Sequence, residues 1–196
     1  MSFLTGTNVE LIYANTAAGT AKNTFTSEVQ INDTAGMGAQ ASIPAWFWPS
    51  TPQTTGKALH IVARGIISTT SAPTFTFTTR IGTAGSTSAA IILGSAAVTA
   101  GTTVTNQPWT FEGSFVIQAP AGAAGANTTG RGTGMVYGPA FASPFMAGLF
   151  GGAATPGTVA TVDTSITNFV NFNAACGTSS ASNSIQLLQL EVYGLN

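Results

Sequence analysis

The sequence predicts an all-β chain, an antiparallel two-sheet β-sandwich of jelly-roll type, on three observations. Apolar and polar residues alternate with a period of two, most regularly over 109–118. There Trp109, Phe111, Gly113, Phe115 and Ile117 oppose Thr110, Glu112, Ser114, Val116 and Gln118. The alternating runs are short, rich in Thr, Val, Ile and Phe, and separated by Gly, Ser and Pro turns. No stretch carries a helical period. Roughly eight to ten short strands of this kind argue for a sandwich or barrel, and a jelly roll matches the size. A chain of 196 residues without a shift in composition is expected to form one domain over 1–196, with a short N-terminal arm at about 1–8.

The elements follow in order. Val9, Leu11 and Tyr13 alternate with Glu10 and Ile12, which predicts a first strand. Residues 25–31 alternate again, and 32–38, with Asn-Asp and two glycines, predict a loop. Residues 41–52 hold Trp46, Phe47 and Trp48 between prolines, which excludes a long helix. In 57–81, Leu59, Ile61 and Ala63 alternate with His60, Val62 and Arg64. After a Ser/Thr/Ala/Pro break at 68–73, Phe75, Phe77, Thr79 and Ile81 alternate with Thr74, Thr76, Thr78 and Arg80. Two such runs about a short break predict an antiparallel hairpin. Strands are expected at 88–93, 109–118 and 131–138. The Ala/Gly-rich 119–130 predicts a loop, and 158–172 a strand or strand pair. The closing strand is expected at 185–193, with Leu188, Leu190 and Val192 on one face.

Composition limits function. Charged residues make up 6%, against a usual ~25%, and the formal net charge is −1. There is no basic field to draw nucleic acid or anionic lipid. Polarity comes from Thr, Ser, Asn and Gln, which hydrogen-bond without the desolvation cost of a full charge, as suits a surface covered by protein. The single cysteine, Cys176, excludes an internal disulfide and a cysteine-based metal site. The N-terminal residues lack the basic and apolar regions of a signal peptide, and no apolar run approaches the ~20 residues needed to span a bilayer. A protein made in a cytosol and not anchored to a membrane is expected.

The residues offer little chemistry. His60 is the only histidine and sits on a predicted strand, so an ordinary metal site has no second imidazole. No G-x-S-x-G elbow surrounds a serine. Cys176 reads as a buried thiol. The six carboxylates fall on different elements, with Glu10, Glu28, Glu112 and Glu191 at solvent-facing strand positions. The run 130–134, Gly-Arg-Gly-Thr-Gly, lacks phosphate-loop spacing. Lys22, Lys57, Arg64, Arg80 and Arg131 are isolated. The expectation is no enzyme, no catalytic residue, no cofactor and no metal.

Two segments carry a resemblance. Residues 43–83, IPAWFWPSTPQTTGKALHIVARGIISTTSAPTFTFTTRIGT, resemble the middle segment of a group of tailed-bacteriophage virion structural proteins. Residues 170–196, VNFNAACGTSSASNSIQLLQLEVYGLN, are similar to their closing segment, where an Asn-Ser/Thr pair (Asn183-Ser184) precedes the last strand. Together they cover about a third of the chain. The resemblance implies a minor structural, capsid-decoration or tail-associated protein without an active site. Trp46, Phe47 and Trp48 depart from it in bulk. A decoration protein on the capsid exterior would cement subunit junctions, with the major capsid protein and further copies of itself, as a homotrimer, for partners. A tail- or fibre-associated receptor- or carbohydrate-binding module is the alternative. Two segments are expected as contact surfaces: Trp46 and Trp48, which otherwise plug one end of the sandwich, and Phe141, Phe145, Met146, Leu149 and Phe150, which otherwise cap the core.

Overall fold

In a computed structural model, residues 9–48, 57–119, 128–143 and 159–195 are described. They form two antiparallel sheets face to face. The seven-stranded sheet A runs β1 (Val9–Ala14), β13 (Ser184–Leu195), β5 (Ala58–Thr69), β9 (Val104–Ala119), β10 (Thr128–Tyr137) and β11 (Ala160–Val162), with β2 (Lys22–Asn23) also paired to β13. The six-stranded sheet B runs β3 (Val29–Gln30), β12 (Asn168–Cys176), β6 (Thr74–Gly82) and β7 (Ala90–Gly94). In it β4 (Ser42–Ile43) also pairs with β12, and β8 (Val98–Thr99) with β6. The chain crosses between sheets repeatedly, at β2–β3, β4–β5, β5–β6, β8–β9, β11–β12 and β12–β13, in the manner of a jelly roll. The expected N-terminal arm lies outside the described residues.

The interior is aromatic. Trp109 and Phe111 point inward from β9, and Phe77 and Phe172 from the opposing β6 and β12. Trp109 stacks on Phe172 with ring planes 6° apart and centroids 5.9 Å apart. Phe111 meets the same Phe172 edge-on at 4.8 Å, and Phe77 lies 5.1 Å from Trp109. Such pairs contribute about 0.5–1.5 kcal/mol each beyond their buried area. The alternation that predicts β9 is the alternation observed: Trp109, Phe111, Phe115 and Ile117 are buried, and Glu112, Val116 and Gln118 are exposed.

Several expectations are corrected. The runs within 57–81 are strands, but not a hairpin. Both edges of β5 are taken, by β13 and β9, and residues 70–73 carry the chain across to sheet B. Alternation assigns faces but not partners. Leu188 does not share a face with Leu190 and Val192. A β-bulge between Leu187 and Gln189 inverts the parity, so Ile185, Leu187, Leu190 and Val192 are buried while Leu188 is 42% exposed. The 32–38 loop contains a short helix, Thr34–Met37, capped by the Asp33 carboxylate accepting from the Gly36 N–H. Within 25–31 only Val29–Gln30 is strand, and 158–172 resolves into β11 and the start of β12.

Glu28 is not solvent-facing in the simple sense expected. Its carboxylate accepts from Arg80 Nε (2.7 Å) and Nη2 (2.8 Å), from Thr78 Oγ1 (2.6 Å) and from Asn173 Nδ2 (2.8 Å). Asp33 pairs in the same way with Lys22. Partial burial pushes both carboxyls up, but the hydrogen bonds, led by Arg80 for Glu28 and Lys22 for Asp33, outweigh it and hold both below the usual carboxylate range.

Two predictions follow from these contacts. Gly65 faces inward on β5, beside the β13 bulge. A Cβ there would collide with the Gln186 carbonyl oxygen and sit 2.6 Å from Trp109 Cζ2. Gly65→Ala should cost roughly 1–3 kcal/mol and lower Tm by about 2–12 °C, read by calorimetry. The lowered carboxyl pKa of Glu28 contributes stability that is complete above its unfolded value of about 4.3 and lost as pH falls through the folded value. Tm should therefore drop below about pH 4, and Glu28→Gln, less stable at neutral pH, should show a shallower acid drop than the parent.

Candidate functional site

The outer face of sheet A, the sheet with more strands, is a patterned surface. Strand register sets its rows. The first runs Val9, Leu195, Ala58, Val116 and Arg131 across β1, β13, β5, β9 and β10. The second runs Leu11, Tyr193, His60, Ser114 and Thr133. The third runs Ala14, Glu191, Val62, Glu112 and Met135, and the fourth Gln189, Arg64, Thr110 and Tyr137. Val9, Leu11, Val116 and Met135 are large apolar side chains left exposed on this one face. The polar residues gather at its centre.

That centre is a shallow groove of about 520 Å3. His60 Nδ1 lies 3.1 Å from Ser114 Oγ, and His60 Nε2 lies 3.3 Å from Glu112 Oε1. Across β5, Glu191 accepts from the Tyr193 hydroxyl (2.9 Å) and from Gln189 Nε2 (2.6 Å). Arg64 Nη1 donates to Gln189 Oε1 at 3.1 Å and stands 3.8 Å from Glu191. The Glu191 hydrogen bond pushes the Tyr193 hydroxyl pKa up. Bonding to a carboxylate two residues back on the same face lays the Tyr193 ring along its strand.

Ser114, His60 and Glu112 thus form a hydrogen-bonded line that the sequence reading missed. Its signal was present: Glu112 and Ser114 stand two apart on one strand face, and only the β5–β9 register was needed to set His60 between them. The line can hold or pass a proton. It has no oxyanion site, because it lies in mid-sheet, where the ladders to β5 and β10 consume the backbone N–H groups of β9.

The expected contact residues divide. Trp46 stands 70% exposed on the 3-10 turn Ala45–Phe47, while Trp48, expected as a contact, is buried at 2% and meets Phe47 edge-on at 4.5 Å. Phe141 is likewise corrected: it is buried at 3% and packs on Phe77, because its turn folds back over the core. Phe145, Met146, Leu149 and Phe150 lie outside the described residues. Cys176 is buried, its thiol directed at the Thr178 carbonyl oxygen. Among the described residues no group of three or more His, Cys, Asp and Glu could hold a metal ion, and no helix is long and apolar enough to cross a membrane.

The raised Tyr193 pKa tests the Gln189–Glu191–Tyr193 line. In Glu191→Gln the phenol should titrate nearer its usual value of about 10. The elevated pKa of Tyr13, which burial alone raises, should stay unchanged. Tyrosine Cζ chemical shifts followed through alkaline pH read both.

No family model and no curated protein matches the chain. Among solved structures it is similar to the CBM2 module of the evolved Dit of Lactobacillus casei BL23 phage J-1, at 11% identity and TM-score 0.43, over 98% of each chain. It is also similar to lectin I from Ulex europaeus, at 8% identity and TM-score 0.42, over 96% of this chain and 98% of that one. Lectin I-B4 from Griffonia simplicifolia follows at 10% identity and TM-score 0.37, over 97% of this chain and 94% of that one. At these identities the likeness concerns the β-sandwich and no residue's role.

Proposed function

We propose that the chain is a non-enzymatic structural protein of a tailed-bacteriophage virion, carried on the capsid exterior as a decoration protein that assembles as a homotrimer and bears on the major capsid protein. One observation supports this beyond the resemblance of residues 43–83 and 170–196. Every lysine and arginine is occupied within the chain. Lys22 pairs with Asp33 and Arg80 with Glu28; Lys57 donates to the Phe47 carbonyl oxygen (2.7 Å); Arg64 bonds Gln189 and Arg131 bonds Gln118. A surface with so few cations, each already bonded within the chain, has little to offer nucleic acid or anionic lipid. Its remaining hydroxyls, amides and apolar side chains are inexpensive to bury against protein. Catalysis has weak support: the Ser114–His60–Glu112 line lacks oxyanion donors, Glu191 is engaged by the Gln189 and Tyr193 donors, and Glu112 by His60.

A second reading, a tail- or fibre-associated receptor- or carbohydrate-binding module, is favoured by the groove on sheet A, which a cementing role leaves without purpose. Copy number separates the two. Decoration predicts hundreds of copies per particle, with density over capsid subunit junctions in a cryo-electron-microscopy map, and a trimer in sedimentation of the isolated protein. A handful of copies at the tail would replace it with the second reading.

A further inference from the structure

The groove has a definite chemical character. Arg64 stands 3.8 Å from Glu191, and the His60 ring presents Nε2 to Glu112 at 3.3 Å, so donors and acceptors lie within a few ångströms of one another. An anion entering here meets two carboxylates. A cation drawn to Glu191 meets Arg64. The ligand that fits is uncharged and carries groups that both donate and accept, so that one atom can face a carboxylate and a guanidinium together. Adjacent hydroxyls do this, because vicinal O–H groups match the paired atoms of a carboxylate or guanidinium. Beside these groups lie apolar surfaces: the Tyr193 ring, with the His60 ring centroid 6.2 Å away, and Val62 as the floor. A pyranose has the same mixed character, with an apolar C–H face and a hydroxyl rim. The volume of about 520 Å3 lies within the roughly 300–1,000 Å3 of small-ligand sites.

We propose that this groove binds an uncharged hexopyranose of a surface glycan, its C–H face on Tyr193 and vicinal hydroxyls bridging Arg64, Glu191 and Glu112. The inference rests on the second reading above, in which the chain is a recognition module. The groove is open on one side and covers only one face of a sugar, so single-site affinity is weak, with Kd near the millimolar range. The few copies that this reading places at the tail gain avidity by engaging neighbouring sugars together.

The test is a 15N–1H NMR titration of the full chain. The probes are methyl β-D-glucopyranoside, methyl β-D-galactopyranoside, N-acetylglucosamine and methyl α-L-rhamnopyranoside, with sodium phosphate and butylammonium chloride as charged controls. At least one sugar should shift the amides of His60, Arg64, Glu191 and Tyr193 saturably below about 100 mM. Tyr193→Ala and Glu112→Gln should each weaken it by about ten-fold or more, with the rest of the spectrum unchanged. Two outward-facing variants guard against one failing to fold. Absence of shifts at these amides with every sugar, binding unaltered in both variants, or tighter binding of phosphate or butylammonium at the groove overturns the proposal. Sugar-induced shifts around Trp46 instead would overturn the groove assignment while keeping the recognition reading.

Discussion

The contact between Trp109 and Phe172 fixes most of what else the sandwich can do. Two sheets of opposite origin meet at that stacked pair, with Phe111 and Phe77 closing around it. An indole of this size inside a sheet interface needs space on its own sheet, and Gly65, directly opposite on β5, supplies it. A side chain at 65 would meet both the ring and the neighbouring β13 backbone, so the glycine, the indole and the β13 bulge form one packing unit. Once Trp109 is inward, the pleat leaves no choice for its strand: Phe111, Gly113 and Phe115 must be inward, and Thr110, Glu112 and Ser114 outward. The polar centre of the outer face is therefore set by the core, and a one-residue slip of β9 would destroy both together.

Sheet B solves a different problem. Its strand β12 buries Asn168, Asn171 and Asn173, which in an apolar layer would be costly. Asn168 donates to the Asp163 and Ile166 carbonyl oxygens and Asn171 to that of Thr83, while residues before and after β3 secure the rest of the strand. Asn32 donates to the Val170 carbonyl oxygen at 2.8 Å and accepts from the Phe172 N–H at 2.9 Å, so one side chain continues the ladder where strand pairing stops. Glu28 takes Arg80, Thr78 and Asn173 at once. Among the described residues, the β12 part of sheet B's outer side is thus covered by the protein itself, whereas sheet A's outer side keeps Val9, Leu11, Val116 and Met135 exposed. Among the described residues, this asymmetry leaves sheet A as the face open to a partner.

The sequence was informative about faces and uninformative about partners. Period-two alternation is a local property of one strand, so 59–67, 75–81 and 109–117 could be sorted into inward and outward residues before any fold was known. Pairing is non-local. Nothing in Ser68–Pro73 separates a hairpin turn from a crossing between sheets, and the expected hairpin failed on that point. Leu188 failed for a related reason, since a bulge inverts parity without leaving a mark in composition. Trp46 and Trp48, two apart in sequence, have opposite fates because a 3-10 turn, unlike a strand, does not return every second residue to one face. The groove is invisible in the sequence although His60, Arg64, Glu112 and Glu191 each stand out there, because Glu112, His60 and Glu191 come from three strands and meet only through register.

A recognition surface on a sheet differs physically from one on loops. The groove's side chains stand on β5, β9 and β13, strands hydrogen-bonded on both edges along most of their length, so their backbones cannot adjust to a ligand. Their tips are held by one another through the Gln189–Glu191–Tyr193 line and the His60 bridge between Ser114 and Glu112. Little conformational entropy is left for binding to remove, which favours affinity. The same flatness prevents the site from closing, so desolvation stays partial and each polar contact competes with water. The balance is a rigid site of low intrinsic affinity and fixed stereochemistry. Such a site gains from simultaneous engagement of neighbouring sugars by even a few copies held together.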